Sequence, residues 1–152
     1  MVGGDQGDFD KALDKIDCYS KKVKLLGKSG SGQLAKMVNQ ICIAGLVQGL
    51  FEAINFGQKA GLNMEDVIEV ISKGAAQSWQ MENRYKTMLE DKFDFGFAVD
   101  WMRKDLRIAM EEAKNNGSLL PITEIIDKYY AEVQDMGGKR WDTSSLIKRF
   151  RK

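Results

Sequence analysis

The chain has 152 residues, 43% of them hydrophobic and 30% charged, with a formal net charge of +1 at pH 7. This composition is typical of one folded domain and excludes intrinsic disorder. The longest uncharged run, residues 37–51, is shorter than the ~20 residues that cross a bilayer, and the N-terminus lacks the basic and apolar regions of a secretory signal. We therefore expect a cytoplasmic protein without a membrane partner.

Histidine is absent from the chain. This excludes catalytic triads and zinc sites that depend on imidazole, so any general acid or base must be Lys, Tyr, Cys or a carboxylate. Cys18 and Cys42 lack the CxxC spacing of a metal site or a redox pair. We expect both to be buried thiols, and we expect no metal.

Apolar periodicity predicts helices over most of the chain. The first runs over residues 9–19 with Asp8 as N-cap, and residues 22–27 alternate weakly, which predicts one strand. A helix of up to 30 residues follows from residue 31 to about residue 60. Its middle, residues 41–47, is apolar all round, which predicts burial on every side and a covering partner. Small residues recur every fourth position there and predict close packing: Gly45, Gly49, Ala53 and Gly57.

Start and stop residues predict further helices over residues 64–72, 78–89, 100–115, 121 to before Gly137, and 144–150. The last is capped by Asp142 or Thr143. The helix that begins at Pro121 has an apolar inner face, formed by Ile122, Ile125, Ile126, Tyr129, Tyr130 and Val133. Residues 91–99 are rich in phenylalanine and predict an aromatic loop. The predicted fold class is all-α, a multi-helix domain built around one long central helix, preceded by a short helix and strand.

Residues 139–152 carry six Lys or Arg and one Asp, a net charge of +5, whereas the rest of the chain has a net charge of −4. A nucleic-acid-binding function would use these cations. The segment has no aromatic platform or recognised binding motif, so a solvated or disordered tail explains its charge better. The cations concerned are Lys139, Arg140, Lys148, Arg149, Arg151 and Lys152.

Residues 30–35 match the GxGxxG/A pattern of dinucleotide-binding turns. A dinucleotide-binding unit needs a second parallel strand with an acidic residue at its end, whereas here the helical pattern continues through Glu52. We therefore interpret the glycines as a tight turn into the long helix.

Three polar residues follow that turn and share one helix face, since about 100° separates successive residues. Lys36 is partly removed from water near a helix N-terminus and is a candidate general acid or base. Asn39 and Gln40 have amides that could orient a carboxylate or hydroxyl beside it. The alternative is a lysine that extends to solvent beside two amides at the helix start, and these residues alone favour that alternative.

Two segments together resemble the β-hydroxyacid dehydrogenases, the family that includes 3-hydroxyisobutyrate dehydrogenase. Residues 30–40, Gly-Ser-Gly-Gln-Leu-Ala-Lys-Met-Val-Asn-Gln, are similar to the family's GxGxxxKxxN[N/Q] segment. Residues 101–106, Trp-Met-Arg-Lys-Asp-Leu, are similar to its KDL segment. The resemblance covers essentially the whole chain. It implies transfer of a hydride between NAD or NADP and a small 3-hydroxyacid or related aldehyde acid, by a homo-oligomer.

The resemblance also implies roles for individual residues. Lys36 would be the catalytic acid/base, Gln40 would hold the substrate, and Asn39 would support both. Lys104 would reach the cofactor, while Phe97 and Asp105 would border the substrate. Without the resemblance, Phe97 would be interpreted as a core residue, and Lys104 and Asp105 as a surface pair.

In the family, a Rossmann domain that binds the cofactor precedes the helical part. The resemblance therefore implies that residues 1–28 are the end of that domain and that residues 29–152 are the helical C-terminal domain for substrate binding and dimerisation. The binding domain for NAD or NADP would precede Met1, and this chain alone would be inactive. The alternative, from another functional class, is a non-catalytic helical dimerisation module.

Overall fold

The structure is a computed structural model that describes residues 1–151. The chain divides into two compact units, Met1–Gln40 and a unit that begins at Ile41. A boundary between residues 28 and 29, expected from the family resemblance, stays a prediction. The helices are α1 (Gln6–Asp17), α2 (Ser31–Lys59), α3 (Met64–Ile71), α4 (Trp79–Leu89), α5 (Val99–Asn116) and α6 (Pro121–Asp135), followed by a 3₁₀ helix (Thr143–Phe150).

The predicted strand at residues 22–27 is wrong, because no strand forms within residues 1–151. Val2 and Leu25 form an isolated parallel bridge. The Val2 backbone N–H donates to the Lys24 carbonyl at 3.1 Å, and the Leu26 N–H donates to the Val2 carbonyl at 2.8 Å. Gly27 then has a φ of 141°, so the segment leaves the extended conformation before a ladder can grow. The fold class is corrected to helices with two isolated bridges, Val2 with Leu25 and Ala98 with Asp142, and without a helix–strand segment.

α1 begins earlier than its periodicity predicted. Asp5 takes the N-cap position without a side-chain capping bond, and Asp8 lies in the first turn instead of capping the helix. A carboxylate in the first turn still interacts favourably with the helix dipole. None of the residues of α1 is buried, and Cys18, just after it, is exposed.

The glycines before α2 form the tight turn that we expected. Gly30 has a φ of 95°, in the left-handed region that other residues rarely adopt. Gly32 lies against the first residues of the chain, and a Cβ on it would be 3.2 Å from both the Gly3 nitrogen and the Met1 oxygen. The backbone therefore approaches the start of α2 so closely that a side chain at Gly32 would make a tight contact with it.

The composition of the middle of α2 predicted burial on every side, but one side of the helix is exposed. Ala44, Val47 and Phe51 are fully buried, whereas Leu46 is 47% exposed and Phe56 is 73% exposed. Cys42 is a free and exposed thiol, so the expectation that both cysteines are buried is also wrong. An apolar segment without charge does not reveal which of its faces the protein covers.

α2 is long and apolar enough to cross a membrane by length and composition, with a mean hydropathy of 1.4 over an 18-residue window. This differs from the expectation drawn from its uncharged run. Core helices of soluble proteins meet the same criterion, and 44% of that window is buried inside the protein. The criterion is therefore weak support for a membrane span.

The core of the second unit is formed by apolar residues from α2 to the 3₁₀ helix. Tyr130 lies in it fully buried, and its hydroxyl donates to the Thr143 carbonyl at 3.1 Å. Burial and the nearby Asp142 carboxylate raise the pKa of the Tyr130 hydroxyl well above its usual range. Other fully buried side chains include Phe51, Ile54, Met88, Met102, Leu106, Ile126, Leu146 and Ile147.

The inner face of α6 differs in part from its predicted composition. Ile126, Tyr130 and Val133 are buried as expected, but Ile122 is 61% exposed and Ile125 is 41% exposed. Asp127 and Thr123 are buried in their place, and Asp127 accepts two hydrogen bonds from Arg103 of α5. The two bonds, from Nε at 2.9 Å and Nη2 at 3.0 Å, fix α6 against α5.

The basic end of the chain is folded as far as residue 151, contrary to the expected solvated or disordered tail, while Lys152 lies outside the described residues. Lys148 and Arg151 pair with Asp91 at 2.6 and 3.1 Å. Arg149 pairs with Glu132 at 2.9 Å. These cations hold the 3₁₀ helix on the rest of the unit.

The buried carboxylate of Asp142 joins the aromatic loop to the start of the 3₁₀ helix, and we call this group of contacts the Asp142 clamp. Asp142 is 1% exposed, and its Oδ1 caps that helix by accepting from the Ser144 N–H at 3.1 Å. Its Oδ2 accepts from the Phe97 N–H at 2.9 Å, and Arg84 Nε lies 3.3 Å from Oδ1. A Cβ on Gly96 would collide with the carboxylate, so only glycine allows the loop to approach it.

Replacing Asp142 should be the most damaging polar substitution in this unit. Asp142→Ala leaves the N–H groups and Arg84 without their acceptor, and we expect a loss of about 3–5 kcal/mol in the free energy of unfolding. Asp142→Asn keeps one carbonyl oxygen and should cost less. Urea denaturation measures both, with Asp135→Ala at the exposed end of α6 as the control. A loss below about 1 kcal/mol in Asp142→Ala would show that the clamp is dispensable.

The Asp91 ion pairs predict a pH-dependent contribution to stability. Hydrogen bonding from Lys148 and the charges of Lys148 and Arg151 lower the pKa of Asp91 below 3.8. The ionised form is therefore stabilised by folding, and this stability is present above pH 3.8 and is lost as the pH falls through the lowered pKa.

Asp91→Asn removes the charge and retains a side chain that tolerates the local φ of 57°. We expect the Tm at pH 7 to fall by about 1–3 °C, because partly exposed pairs contribute little. The difference from the parent chain should shrink as the pH falls below 3.8, and it should also shrink in about 1 M salt. Asp94→Asn, at an exposed loop position, is the control, and an equal Tm loss at pH 2 and pH 7 would contradict the assignment.

Candidate functional site

The first group of candidate residues lies near the N-terminus of α2. Lys36 is half-buried, Asn39 is exposed and Gln40 is 1% exposed. Asn39 Nδ2 donates to Gln40 Oε1 at 2.8 Å, so the two amides orient each other. Because helical positions i, i+3 and i+4 share a face, this arrangement places an ammonium group beside an ordered amide pair.

The local sequence explains why these three residues share a face. The turn at Gly30 allows α2 to begin at Ser31, and no proline interrupts the helix after it. The side chains are thus fixed by regular helix geometry instead of by a loop.

The second group lies in the unit that begins at Ile41. Lys104 and Asp105 are neighbours on α5, and Lys104 Nζ lies 2.8 Å from Asp105 Oδ1. The lysine side chain is 49% exposed, whereas that of the aspartate is only 4% exposed. Phe97 precedes α5 in the loop held by Asp142, and it is 37% exposed. The loop thus presents an aromatic side chain on a fixed backbone.

Two of the predicted pairs are in direct contact in the structure: Asn39 with Gln40, and Lys104 with Asp105. The group on α2 and the group around α5 belong to different compact units. That Lys36 and Phe97 serve one common site stays a prediction.

Several residues around these groups were not singled out by the sequence. Trp101 lies one turn before Lys104 and is 48% exposed, and its ring centroid is 6.0 Å from Lys104 Nζ. Arg140 Cζ lies 5.7 Å from the same ring. The spacing of Trp101 and Lys104 could have predicted their contact. The contact of Arg140 with Trp101 and the bond of Asp142 to Phe97 each join distant parts of the chain, so no local pattern indicated them.

The chemistry around Lys104 fits part of a nicotinamide dinucleotide, a ligand with negative phosphates and planar rings. A half-exposed lysine supplies positive charge, and Trp101 beside it supplies an exposed aromatic face. Ammonium groups and aromatic rings are common contacts of such ligands. Among residues 1–151, no group of three or more His, Cys, Asp or Glu side chains is arranged to hold a metal ion.

Comparison with known proteins identifies relatives over the whole length of this chain. An uncharacterised oxidoreductase of Shewanella frigidimarina is 62% identical over 152 residues, covering 100% of this chain and 52% of the relative. A probable 3-hydroxyisobutyrate dehydrogenase-like protein of Arabidopsis thaliana is 36% identical over 147 residues, covering 97% of this chain and 44% of the relative. The chain thus spans about half the length of the curated relatives it matches.

A solved structure shares the fold. The 3-hydroxyisobutyrate dehydrogenase of Mycobacterium tuberculosis, determined with L-serine, superimposes with a TM-score of 0.89 at 26% identity. The match covers 100% of this chain and 54% of that chain.

A family model described as "NAD-binding of NADP-dependent 3-hydroxyisobutyrate dehydrogenase" matches residues 30–150. It describes the helical region itself as NAD-binding, which overturns the predicted fold class, in which this region is a helical C-terminal domain alone. NAD or NADP is the cofactor of such dehydrogenases. By this match, and by the GxGxxxK and KDL segments that carry the resemblance, the chain belongs to the family of NAD(P)-dependent 3-hydroxyisobutyrate dehydrogenase-like oxidoreductases.

Proposed function

We propose that this chain is part of an enzyme that transfers a hydride between a nicotinamide cofactor and a small 3-hydroxyacid or related aldehyde acid. The observation that carries the proposal is the polar group at the start of α2, where Lys36 shares a face with the hydrogen-bonded pair of Asn39 and Gln40. A core helix has no structural need for a half-buried lysine and a fully buried amide at these positions.

Lys36 is the proposed acid/base. In the direction of reduction its ammonium group donates a proton to the substrate carbonyl oxygen, and in the direction of oxidation its neutral amine takes the hydroxyl proton. The bound cofactor supplies or accepts the hydride. A lysine suits this role because the chain has no histidine, and a half-buried position restricts the directions in which its side chain can point.

The remaining residues bind and orient the reactants in this proposal. Gln40 holds the substrate, and the bond from Asn39 Nδ2 to its Oε1 fixes the direction of the Gln40 amide. Phe97 and Asp105 border the substrate, with Phe97 held in place through its backbone N–H. Lys104 contacts the cofactor.

Relatives support the proposed substrate class. The matching Mycobacterium tuberculosis dehydrogenase was determined with L-serine, a small acid with a hydroxyl group on the β carbon. We also place the protein in the cytoplasm, because both of its cysteines are free and exposed, which suits a reducing compartment. By itself the chain is expected to be inactive, since it spans about half the length of the relatives.

We further propose that the protein is a homo-oligomer that associates through α2. The exposed side of this helix is mostly apolar or small, with Glu52 at its edge. Gly45 and Gly49 face open space in which an added Cβ would meet no atom within 4 Å. A groove of about 290 Å³ beside them is lined by α2 and by residues 71–81. A non-catalytic dimerisation module would share this surface but would not need Lys36. The exposed residues of this side include Cys42, Leu46, Gly49, Ala53 and Phe56.

Substitution of Lys36 tests the proposed chemistry. The chain is joined to the part of the Shewanella frigidimarina relative that it does not span, and reduction of a 3-oxoacid is followed by NADPH absorbance. Lys36→Ala should lower kcat by about 10²- to 10⁴-fold, the usual effect of losing an acid/base, with a smaller effect on cofactor affinity. Lys59→Ala, in the exposed last turn of α2, is the matched control. An unchanged kcat in Lys36→Ala would contradict the assignment of Lys36 as the acid/base.

Sedimentation equilibrium tests the association. At micromolar concentration the chain should have at least twice its monomer mass of 17.1 kDa. Phe56→Asp should dissociate it, because a charge at an interface core is costly to desolvate. Ile122→Asp, at a residue that is 61% exposed on α6, should leave the mass unchanged. A parent chain that stays at 17.1 kDa as its concentration rises would refute the proposal.

A further inference from the structure

An exposed aromatic ring lies against two cations beside the first turn of α5. Trp101 is 48% exposed, with Lys104 Nζ at 6.0 Å and Arg140 Cζ at 5.7 Å from its ring centroid. Both distances are within the range of cation–π attraction. We call these three residues the Trp101 cluster.

The backbone holds the two halves of the Trp101 cluster together. The Val99 N–H donates to the Trp141 carbonyl at 2.9 Å, and the Asp100 N–H donates to the Lys139 carbonyl at 3.1 Å. These bonds fix the segment on both sides of Arg140 against the first turn of α5. The cluster is therefore built by the fold and does not depend on two long side chains meeting by chance.

The charge of Arg140 is not neutralised by a neighbouring acid. Of the ion pairs within 4 Å that the structure shows among residues 1–151, one joins Lys104 to Asp105 and none includes Arg140. The carboxylate of Asp100 accepts a hydrogen bond from Gln134. The cluster therefore keeps a net positive charge next to an exposed ring.

We propose that Trp101 and Arg140 extend the cofactor contact of Lys104. Arg140 pairs with a phosphate of the dinucleotide, and the Trp101 ring covers an uncharged, planar part of the same dinucleotide. The inference rests on the proposed role of Lys104. A guanidinium group matches two phosphate oxygens at once, and a ring that already holds two cations is pre-organised for an anionic ligand with planar groups. Both charges lie against the same ring, so one dinucleotide can meet them together.

Nuclear magnetic resonance of the chain itself tests the cluster without requiring catalysis. The chain has three tryptophans, so a ¹⁵N-labelled sample has three indole N–H signals, and Trp101→Phe identifies the relevant one. NADP⁺ is added up to about 10 mM, with inorganic phosphate at matched ionic strength as a separate titration. The Trp101 signal should move saturably with NADP⁺, and more weakly with phosphate, while the Trp79 signal serves as the reference.

Arg140→Gln should raise the Kd for NADP⁺ about tenfold, equivalent to about 1.4 kcal/mol. Arg107→Gln removes the same charge from an exposed position one turn beyond Lys104 on α5, and it should leave the Kd unchanged. The dispersion of the backbone amide signals confirms that each variant is folded.

Three results would overturn the inference: a Trp101 signal that NADP⁺ does not move, equal Kd values for phosphate and NADP⁺, or an Arg140→Gln variant that binds as the parent does. If Lys104→Gln weakens binding while Arg140→Gln does not, the inference fails and the role of Lys104 stands. The Lys36 experiment is independent, because it measures kcat, so the failure of the cluster and the failure of the proposed function are distinguishable.

Discussion

The buried carboxylate of Asp142 is the interaction on which the candidate residues around α5 depend. A buried charge is tolerated only when it is paired and hydrogen-bonded, and Asp142 meets this requirement with the backbone of Phe97 and Ser144 and with Arg84. Each of these partners belongs to a different segment. The carboxylate therefore fixes the aromatic loop, the start of the 3₁₀ helix and α4 at one point.

That fixed point determines what lies next to it in the chain. Phe97 is bound through its own N–H, and Ala98 forms an antiparallel bridge with Asp142. α5 begins at the next residue, so its first turns start from an anchored backbone. Trp101 and Lys104 are held by a rigid helix that begins at the clamp, and this is the pre-organisation that a ligand contact requires.

The helices could be predicted from the sequence because their signals are local. Asn63 and Ser78 cap α3 and α4, each accepting a hydrogen bond from the first turn, and Ser78 lies just before the helix that was predicted to begin with it. The capping role of Asp142 was predictable too, whereas its bond to Phe97 joins residues far apart in the chain.

Burial was predicted less well than the helices. The apolar middle of α2 does not show which side the fold covers, and Leu46 and Phe56 are on the uncovered side. Of the candidate site, the motif segments indicated Lys36 and Lys104, but only the folded chain brings Arg140 to Trp101.

The contacts of the basic residues distinguish cations that stabilise the fold from cations that a ligand can use. Lys148, Arg149 and Arg151 stand in the basic end of the sequence, yet each pairs with a carboxylate of the fold. Arg103 is likewise paired with Asp127, whose hydrogen bonding raises the pKa of the guanidinium. A cation that is paired in this way has little charge left for an incoming anion. Arg140 belongs to the same basic segment but rests on an aromatic face, which holds its position without cancelling its charge. Position in the sequence therefore says little about what a basic residue does, and the group it contacts decides whether it stabilises the fold or can bind a phosphate.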